Sequence, residues 1–334
     1  PDDHNFFQSK LVYQVPLYTG GQISGYTEIS RAMEKMKQLD KADVLSEKVY
    51  QTRKSYYDMA LLESSLANLK TILANIITLE DMIDTMIAEG YAKEVDLLEI
   101  KAKKANVIRL VNQMTSNQKL LYHFLSFLLD QEVKQITLPA SEVPMVALDN
   151  VTILKRNLDI QKAETGMKIR REMVNVSEAG YLPEVGAFGE FGTADDTFLG
   201  DASDHKAYTV GAQLTWNLFS GGTDSSKIEQ AKVEELKMKT QLDLAKKGIA
   251  LRLAQIRTEI ESYNGEISSL ESELELANKI YESYETRYRE NLASMNDVVI
   301  QQSLQIEKIL ALQVVKNKRN ERVFALEDLA NGAQ

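Results

Sequence analysis

The sequence predicts a mainly α-helical chain in which long coiled-coil hairpins are combined with β-strands of the kind that cross a membrane. The first observation is an internal repeat, since LYTGGQIS at 17–24 returns 201 residues later as LFSGGTDS at 218–225. The second is a change of period at each copy. Alternating apolar and polar residues precede the motif, and apolar residues at intervals of three and four follow it. We therefore expect a duplicated unit of strand, glycine turn and helix.

Three stretches have the two-residue period of a β-strand. Residues 208–218 alternate most regularly, residues 7–17 repeat the pattern less cleanly, and residues 184–192 follow it with Phe188 as an exception. A transmembrane strand needs about 9 to 11 residues with one apolar face. We expect Phe219 and the indole at 216 to lie at the membrane interface. The residues predicted to face lipid are Tyr208, Val210, Leu214 and Trp216.

A polar loop, TADDTFLGDASDHKA at 193–207, joins the last two of these stretches and is expected to face solvent. A half-buried hairpin on a soluble sheet would show the same alternation, because the period-two signal of a single segment is weak. The long helical stretches on both flanks favour the membrane interpretation.

The repeated motif contains a pair of glycines at each junction between strand and helix. Because glycine accepts backbone angles that other residues avoid, such a pair lets a strand turn directly into a helix. The predicted junction residues are Gly20, Gly21, Gly221 and Gly222.

Long helices are predicted after both junctions. Residues 22–88 contain no proline, and at ~1.5 Å per residue a continuous helix of this length reaches about 100 Å. Residues 223–289 match them at the same offset, and the tyrosines at 281, 284 and 288 are expected to pack in the coiled-coil seam. Two shorter return helices are predicted over 93–131 and about 149–179, separated by a segment with two prolines.

The far ends of the two helical hairpins also correspond. EGYAKEVDLL at 89–98 aligns with ENLASMNDVV at 290–299 at the offset of 201. Glycine and asparagine tolerate the left-handed backbone that ends a helix, so both segments are predicted to be hairpin tips. The tip residues singled out as a docking surface are Gly90, Ala92, Asp96, Asn291 and Ala293.

Composition excludes several classes of protein. A net charge of −10 argues against nucleic-acid binding, and the absence of cysteine excludes disulfides and thiolate metal sites. His4, His123 and His205 are dispersed, and His123 is expected to be a packed or capped core histidine and not a ligand. There is no phosphate-binding glycine loop with its lysine. We therefore predict that the chain is not an enzyme and has no cofactor or metal site.

Five segments resemble the TolC-type outer-membrane efflux proteins, in the order of that family: PLYTGGQ, LKRNLDIQKAE, AGYLPEVGAFGEFG, VGAQLTWNLFSGG and RYRENLASMNDVVIQQ. The resemblance implies a homotrimer whose strands close one β-barrel in the lipid of the Gram-negative outer membrane. Its helices would form an α-barrel across the periplasm. Such a trimer is a passive exit duct for drugs, metals or secreted proteins, in tripartite efflux or type I secretion. Its implied partners are a periplasmic adaptor (membrane fusion) protein and an inner-membrane pump.

The alternative is a soluble periplasmic coiled-coil adaptor or scaffold. That alternative would explain the helices but would leave Leu214 and Trp216 exposed, which favours aggregation.

The resemblance assigns each part of the chain to a region of the assembly. The assignments are a barrel strand with its preceding loop (1–19), the first helical hairpin (20–132), an equatorial linker (133–148), a return helix (149–182), the barrel hairpin (183–219), and the second helical hairpin with the C-terminal segment (220–334). The family's protomer begins with a signal peptide, two more helices and a further strand. This chain would begin in the external loop before the second strand. Leu158 stands where the family has proline.

The resemblance also implies a periplasmic gate. Aspartates beside the second hairpin tip ring the entrance in that family, and aligning the tips places one such aspartate at Asp297. The second position of this kind is Ile300 here, so one acidic ring would be replaced by an apolar one. Asp297 also falls in the first turn of its helix, where a carboxylate stabilises the helix dipole. A gate ring and a helix cap therefore both remain open for Asp297, and Asp96 invites the same cap interpretation.

Overall fold

The computed structural model describes residues 7–139, 143–144, 149–195 and 206–330. Most of the predicted loop at 193–207, two of the histidines and part of the linker lie outside these residues. The elements in chain order are β1 (Phe7–Tyr18), α1 (Gln22–Ala88), α2 (Glu94–Leu129), α3 (Asn150–Arg156), α4 (Leu158–Ala179), β2 (Glu184–Asp195), β3 (Lys206–Thr215), α5 (Thr223–Arg289) and α6 (Met295–Leu329).

The chain divides into two compact units. The first unit comprises Pro1–Lys41 and Asp159–Lys247, and the second comprises Ala42–Leu158 and Gly248–Gln334. The sheet and α4 belong to the first unit, except for Leu158, the first residue of α4, which belongs to the second. Helices α2, α3 and α6 also belong to the second unit. The mainly helical class predicted from the sequence is confirmed.

The sheet is antiparallel in the order β1-β2-β3. Tyr13 lies opposite Gly189, which in turn lies opposite Val210, so that these positions share a face. Tyr208 and Val210 are both 83% exposed on this face, which is apolar along most of its length and polar at the end where Ser9, Thr193 and Lys206 are paired. Polar side chains occupy the opposite face, where Lys10 and Glu190 form an ion pair. The alternation therefore separates two chemically different surfaces.

Phe188, the exception to the alternation in β2, lies on the polar face for a local reason. It is paired across the strands with Gly211. A Cβ atom at position 211 would lie only 2.8 Å from Cζ of the Phe188 ring. The ring therefore covers the glycine on the neighbouring strand, and this packing offsets the apolar group on a polar surface.

Strand β3 ends earlier than the alternation predicts. It stops at Thr215, whereas the sequence pattern continues to 218. Trp216 lies beyond the strand, where its Nε1–H donates to the carbonyl of Tyr181 at 3.0 Å. The indole needs an acceptor, and the turn after α4 supplies one. Trp216 is therefore a residue of the strand-to-helix turn, and its prediction as a strand residue is wrong.

The return helix predicted over about 149–179 is two helices. Asn157 separates α3 from α4 with φ −58° and ψ 126°, which is not helical backbone. Its side chain is buried, and Nδ2 donates to the carbonyl of Leu329 at 3.2 Å. This tertiary hydrogen bond accompanies the break, which occurs although Leu158 replaces the proline of the resembled family.

The two long helices have the bounds that the sequence predicts, each with 67 residues. No helix in the described ranges combines the length and the apolar character of a membrane span. In the second unit, α1, α2, α5 and α6 share one apolar core. Tyr281 and Tyr288 are buried in it, which confirms their packing in the seam. Other core members are Leu69, Ile76, Ile83, Ile100, Val107, Met295, Val298 and Ile306.

His123 is exposed, and the prediction of a packed histidine is wrong. Residues of α2 that face the core are Ile100, Val107 and Leu125. His123 and Leu125 are two positions apart in the helix, which places them on different faces. The apolar neighbours of His123 in the sequence made it look buried.

Candidate functional site

The glycine pairs at both junctions have the left-handed backbone that the sequence predicts. The φ angles are 62° at Gly20, 95° at Gly21, 63° at Gly221 and 89° at Gly222. Residues with a Cβ rarely adopt such angles, so glycine is needed at each position. The duplicated junction is therefore duplicated in geometry as well as in sequence.

The hydroxyl residue of the motif begins the following helix. Thr19 Oγ1 accepts a hydrogen bond from the N–H of Ile23 at 3.3 Å, and Ser220 Oγ accepts one from the N–H of Asp224 at 3.2 Å. Each bond satisfies a backbone donor that has no partner within the first helical turn. This accounts for the small hydroxyl residue that precedes both glycine pairs.

The two junctions differ in their surroundings. A Cβ atom at Gly20 would lie 2.8 Å from Cβ of Leu182 and 2.9 Å from the carbonyl oxygen of Ala179. A Cβ atom at Gly221 would meet nothing within 4 Å. The first junction is therefore packed against the end of α4, while the second is open in the single chain.

The two hairpin tips share one backbone geometry. Gly90 and Asn291 have φ of 81° and 57°, as predicted from their tolerance of left-handed backbone. The next residue folds back in each case. Tyr91 N–H donates to the carbonyl of Met86, and Leu292 N–H donates to the carbonyl of Arg287, both at 2.7 Å. This is the hydrogen bond that closes a helix end with a left-handed residue.

Large apolar side chains are exposed at both tips. Tyr91 is 66% exposed and Leu292 is 70% exposed. Sequence reasoning missed this pair, although the two positions are equivalent in the repeat. The available signal was a large apolar residue directly after each left-handed residue, in a place where a tight turn normally carries polar groups.

The two alanines predicted to form the docking surface are half-buried. Ala92 packs against the apolar core, and Ala293 is partly covered. Bulky side chains at position 92 would therefore disturb the packing inside the hairpin as well as its surface.

Asp297 caps α6. Its Oδ2 accepts hydrogen bonds from Ser294 N–H at 3.0 Å and from Ser294 Oγ at 2.6 Å, while its own N–H donates to Ser294 Oγ at 3.2 Å. These reciprocal bonds form a capping box. The Ser294 hydroxyl and N–H hold the pKa of the Asp297 carboxyl below its usual value, which keeps it ionised near neutral pH. Ile300, one turn further on, is exposed.

Asp96 has a different set of partners. Its Oδ2 accepts the N–H of Lys93 at 3.2 Å, and it also accepts the hydroxyl of Tyr288 at 3.3 Å. The second bond joins α5 to α2 and thus links the two hairpins. Burial, with the charge of Asp96 nearby, raises the pKa of the Tyr288 hydroxyl, so tyrosine remains a donor. The cap interpretation of Asp96 was therefore incomplete, because it missed this tyrosine.

Two further hydrogen bonds join elements near the tips. Gln302 Nε2 donates to the hydroxyl of Tyr281 at 3.3 Å within the second hairpin. Lys103 Nζ donates to Ser303 Oγ at 2.8 Å and connects α2 to α6. Burial lowers the pKa of Lys103. The hairpins thus meet through an apolar core bordered by a few directional bonds, which fix their register.

Within the described residues, no group of three or more histidine, cysteine, aspartate or glutamate side chains is placed to hold a metal ion. The geometry instead provides backbone turns, helix caps and links between helices. These are features that shape a scaffold and its surfaces.

Solved structures share this fold. CusC, studied for transmembrane channel formation, matches with a TM-score of 0.89 and 14% identity over 97% of this chain and 77% of CusC. VceC, an outer membrane protein of Vibrio cholerae, matches with a TM-score of 0.81 and 14% identity over 98% of this chain and 87% of VceC. The CmeC outer membrane channel of Campylobacter jejuni matches with a TM-score of 0.80 and 13% identity over 98% of this chain and 77% of CmeC. At these identities the likeness is one of fold.

No curated protein matches the chain by sequence. The family described as Outer membrane efflux protein matches residues 151–332, which is more than half of the chain. This family consists of transport channels and not of enzymes. The matched residues include the second strand pair, the second glycine junction and the second hairpin tip, and the chain belongs to the outer membrane efflux protein family.

Proposed function

We propose that the protein is the outer-membrane component of a tripartite efflux or type I secretion system and acts as a passive trimeric exit duct. One observation carries the proposal. A sheet with an exposed apolar face continues through left-handed glycine turns into helices of 67 residues. Membrane strands and long coiled-coil helices in one repeated unit suit a conduit that crosses a bilayer and extends well beyond it.

The sheet supports assembly into a trimer. Strands β1 and β3 are its edges, and each presents one unpaired row of backbone donors and acceptors. In a bilayer these groups need partners, because no water is available to satisfy them. Pairing β1 of one copy with an edge strand of another would satisfy them, and three copies would close a barrel.

Asp297 and Ile300 are proposed to line the periplasmic entrance of the duct. The cap at Ser294 uses one carboxylate oxygen of Asp297, Oδ2, and leaves the charge in place. Capping and gating are therefore compatible. Three such carboxylates near one axis would repel one another and favour cations over anions. Three exposed isoleucines beside them would exclude water from the closed entrance.

The hairpin tips are proposed to dock a periplasmic adaptor protein. The exposed Tyr91 and Leu292 give each tip an apolar contact that helices of a partner could cover. We expect Leu292→Ser and Tyr91→Ser to abolish efflux in cells while trimers still form. Leu276→Ser is the matched control, since Leu276 is exposed on α5 away from the tip. Normal efflux in both tip variants would argue against docking through these residues.

The membrane assignment is tested on adjacent residues of β3. Leu214 lies on the apolar face and Gln213 on the polar face. In full-length protein, Leu214→Arg should reduce the amount of heat-labile trimer in the outer-membrane fraction, at a cost of about 2 to 4 kcal/mol near the bilayer midplane. Gln213→Arg should assemble normally. Equal defects in the two variants, or wild-type protein that is soluble and monomeric without detergent, would refute the proposal.

A further inference from the structure

A cavity of about 460 Å³ in the second unit is not used by any feature of the duct described above. It lies between α1, α5, α6 and the segment that follows α2. Leu61, Leu138, Pro139 and Ile267 provide apolar walls, and Arg319 and Asn320 provide polar groups. This volume is within the usual range of small-molecule sites, and so is the combination of apolar walls with a few polar groups.

Arg319 is the unusual member of this lining. Its side chain is only 8% exposed, although it carries a full positive charge. Nη1 donates to the carbonyl of Val143 at 2.8 Å and to Asn320 Oδ1 at 3.4 Å, and Nε donates to Asn264 Oδ1 at 3.1 Å. All three acceptors are neutral. No carboxylate in the described part of the chain pairs with this guanidinium.

A buried charge without an anion is costly, because neutral dipoles replace its hydration only in part. The other cation in the lining, Lys316, is paired with Glu271 at 2.7 Å. Among the described residues that line the cavity, none is acidic. The cavity therefore has positive character in a chain whose net charge is −10.

The neutral hydrogen bonds also fix the guanidinium in place. Val143 and Asn320 accept from Nη1 and Asn264 accepts from Nε, so the N–H groups of Nη2 are presented from a guanidinium that is held in place. A carboxylate suits this nitrogen because it can accept a charge-assisted hydrogen bond from Nη2. The apolar walls would cover the rest of a molecule bearing that carboxylate.

We propose that this cavity binds a small amphipathic monocarboxylate, with the carboxylate on Arg319 and an apolar body against Leu61, Leu138 and Ile267. The site is separate from the proposed entrance and from the hairpin tips. Its existence does not depend on the transport role of the protein.

The test uses full-length protein in lipid nanodiscs and the probe naphthalene-2-carboxylate at neutral pH, followed by calorimetry. We expect saturable binding at one site per protomer. The neutral amide of the same ring should bind about tenfold more weakly or less, because it cannot form charge-assisted hydrogen bonds. Equal binding of acid and amide, or no binding of the acid, would overturn the proposal.

Variants separate the charge from the cavity. Arg319→Gln should weaken binding of the acid about tenfold and leave binding of the amide unchanged. Ser64→Phe fills the cavity from an exposed position on α1 and should abolish binding of both probes, even if Arg319→Gln fails to fold. Lys308→Gln is the matched control, a cation of α6 that pairs with Glu273 away from the cavity. Unchanged affinity in Arg319→Gln or Ser64→Phe would contradict the assignment.

The chain itself could supply the anion, and one variant tests this. Glu142 adjoins Val143 in the sequence and lies outside the described residues. If the acid binds only to the Glu142→Gln variant and not to the wild type, the partner of Arg319 is the chain's own carboxylate, and the proposal is wrong. Similar binding in both proteins supports an external ligand.

Discussion

The two copies of the repeat have the same backbone and different side-chain partners. Both junctions turn through left-handed glycines, and both tips close through the same backbone hydrogen bond. The first junction is packed where the second is open. At the tips, Asp297 bonds to Ser294 within its own hairpin, whereas Asp96 bonds to Tyr288 of the other hairpin. Duplication thus preserved the geometry of the turns and allowed the surfaces to diverge.

The divergence follows from two pairs of equivalent positions. Ser294 corresponds to Lys93, whose ammonium group cannot accept the hydrogen bond that a serine hydroxyl accepts. Tyr288 corresponds to Ile87, which has no hydroxyl that could donate a hydrogen bond to Asp297. Asp96 at the first tip therefore accepts a hydroxyl hydrogen bond from Tyr288 of the other hairpin, whereas Asp297 at the second tip accepts one from Ser294 of its own hairpin. We infer that Asp96 fixes the hairpins together, while Asp297 is left facing outward.

The largest expected difference is between the junctions. Gly20→Ala should destabilise the protein by about 3 kcal/mol, because left-handed backbone costs about 1 to 2 kcal/mol and the clash with Ala179 and Leu182 adds to it. Gly221→Ala meets open space and should cost about 1 kcal/mol. Chemical unfolding of both variants measures the difference. Equal losses would show that the two junctions are packed alike in the folded protein.

The next effect concerns the link between the hairpins. Tyr288→Phe removes the hydroxyl that donates to Asp96 and should cost about 1 to 2 kcal/mol, since the acceptor is charged. A double-mutant cycle with Asp96→Asn should give a coupling energy of about 1 kcal/mol.

Tyr284→Phe is the control for this link, because its ring packs one turn earlier against the same core. A coupling energy near zero between Tyr288 and Asp96, or the same loss in Tyr284→Phe, would remove the link from the description of the tips.

The smallest effects are at the caps, and they have opposite signs. Ser294→Ala should destabilise α6 by about 1 kcal/mol, because it removes the capping hydroxyl. Lys93→Ser should stabilise α2 by about 0.5 to 1 kcal/mol, because it restores the capping box already half-formed by Asp96. Thermal unfolding of the two variants tests the signs. Destabilisation by Lys93→Ser would mean that the lysine has a role that the repeat does not reveal.

Acid provides a check on the second cap. The pKa of Asp297 is below the ordinary value of 3.8, so its stabilisation is complete above that value and is lost as pH falls through the lower pKa. Ser294→Ala should raise this pKa and reduce the loss of stability below pH 3.8. An unchanged acid profile would indicate that Ser294 does not set the pKa of Asp297.

Sequence reasoning succeeded where local chemistry decides the structure. Left-handed turns need glycine or asparagine, so Gly90, Asn291 and the junction glycines could be placed from spacing alone. The early end of β3 could not be predicted from its own alternation, because β3 stops where its partner strand begins, with Thr215 opposite Glu184. The break at Asn157 is accompanied by a hydrogen bond to a residue 172 positions away, which the local sequence does not reveal.

The same limit applies to the candidate site. The cap at Asp297 follows from its position in the first turn of a helix, whereas the bond from Tyr288 to Asp96 spans 192 positions. A comparison of the two repeats could have indicated it, since Tyr288 is the hydroxyl-bearing member of a pair with Ile87. The exposure of Tyr91 and Leu292 required a structure, because composition does not tell which apolar residues a hairpin leaves uncovered.

The most direct measurement is ion conduction by the full-length protein in planar bilayers under a gradient of potassium chloride. We predict pores whose reversal potential shows a preference for cations, weakened in Asp297→Ala together with block by divalent cations. Asp96→Ala should keep that preference, because its carboxylate is engaged with Tyr288. An absence of pores would contradict the exit duct itself. Unchanged selectivity in Asp297→Ala would reduce Asp297 to a helix cap.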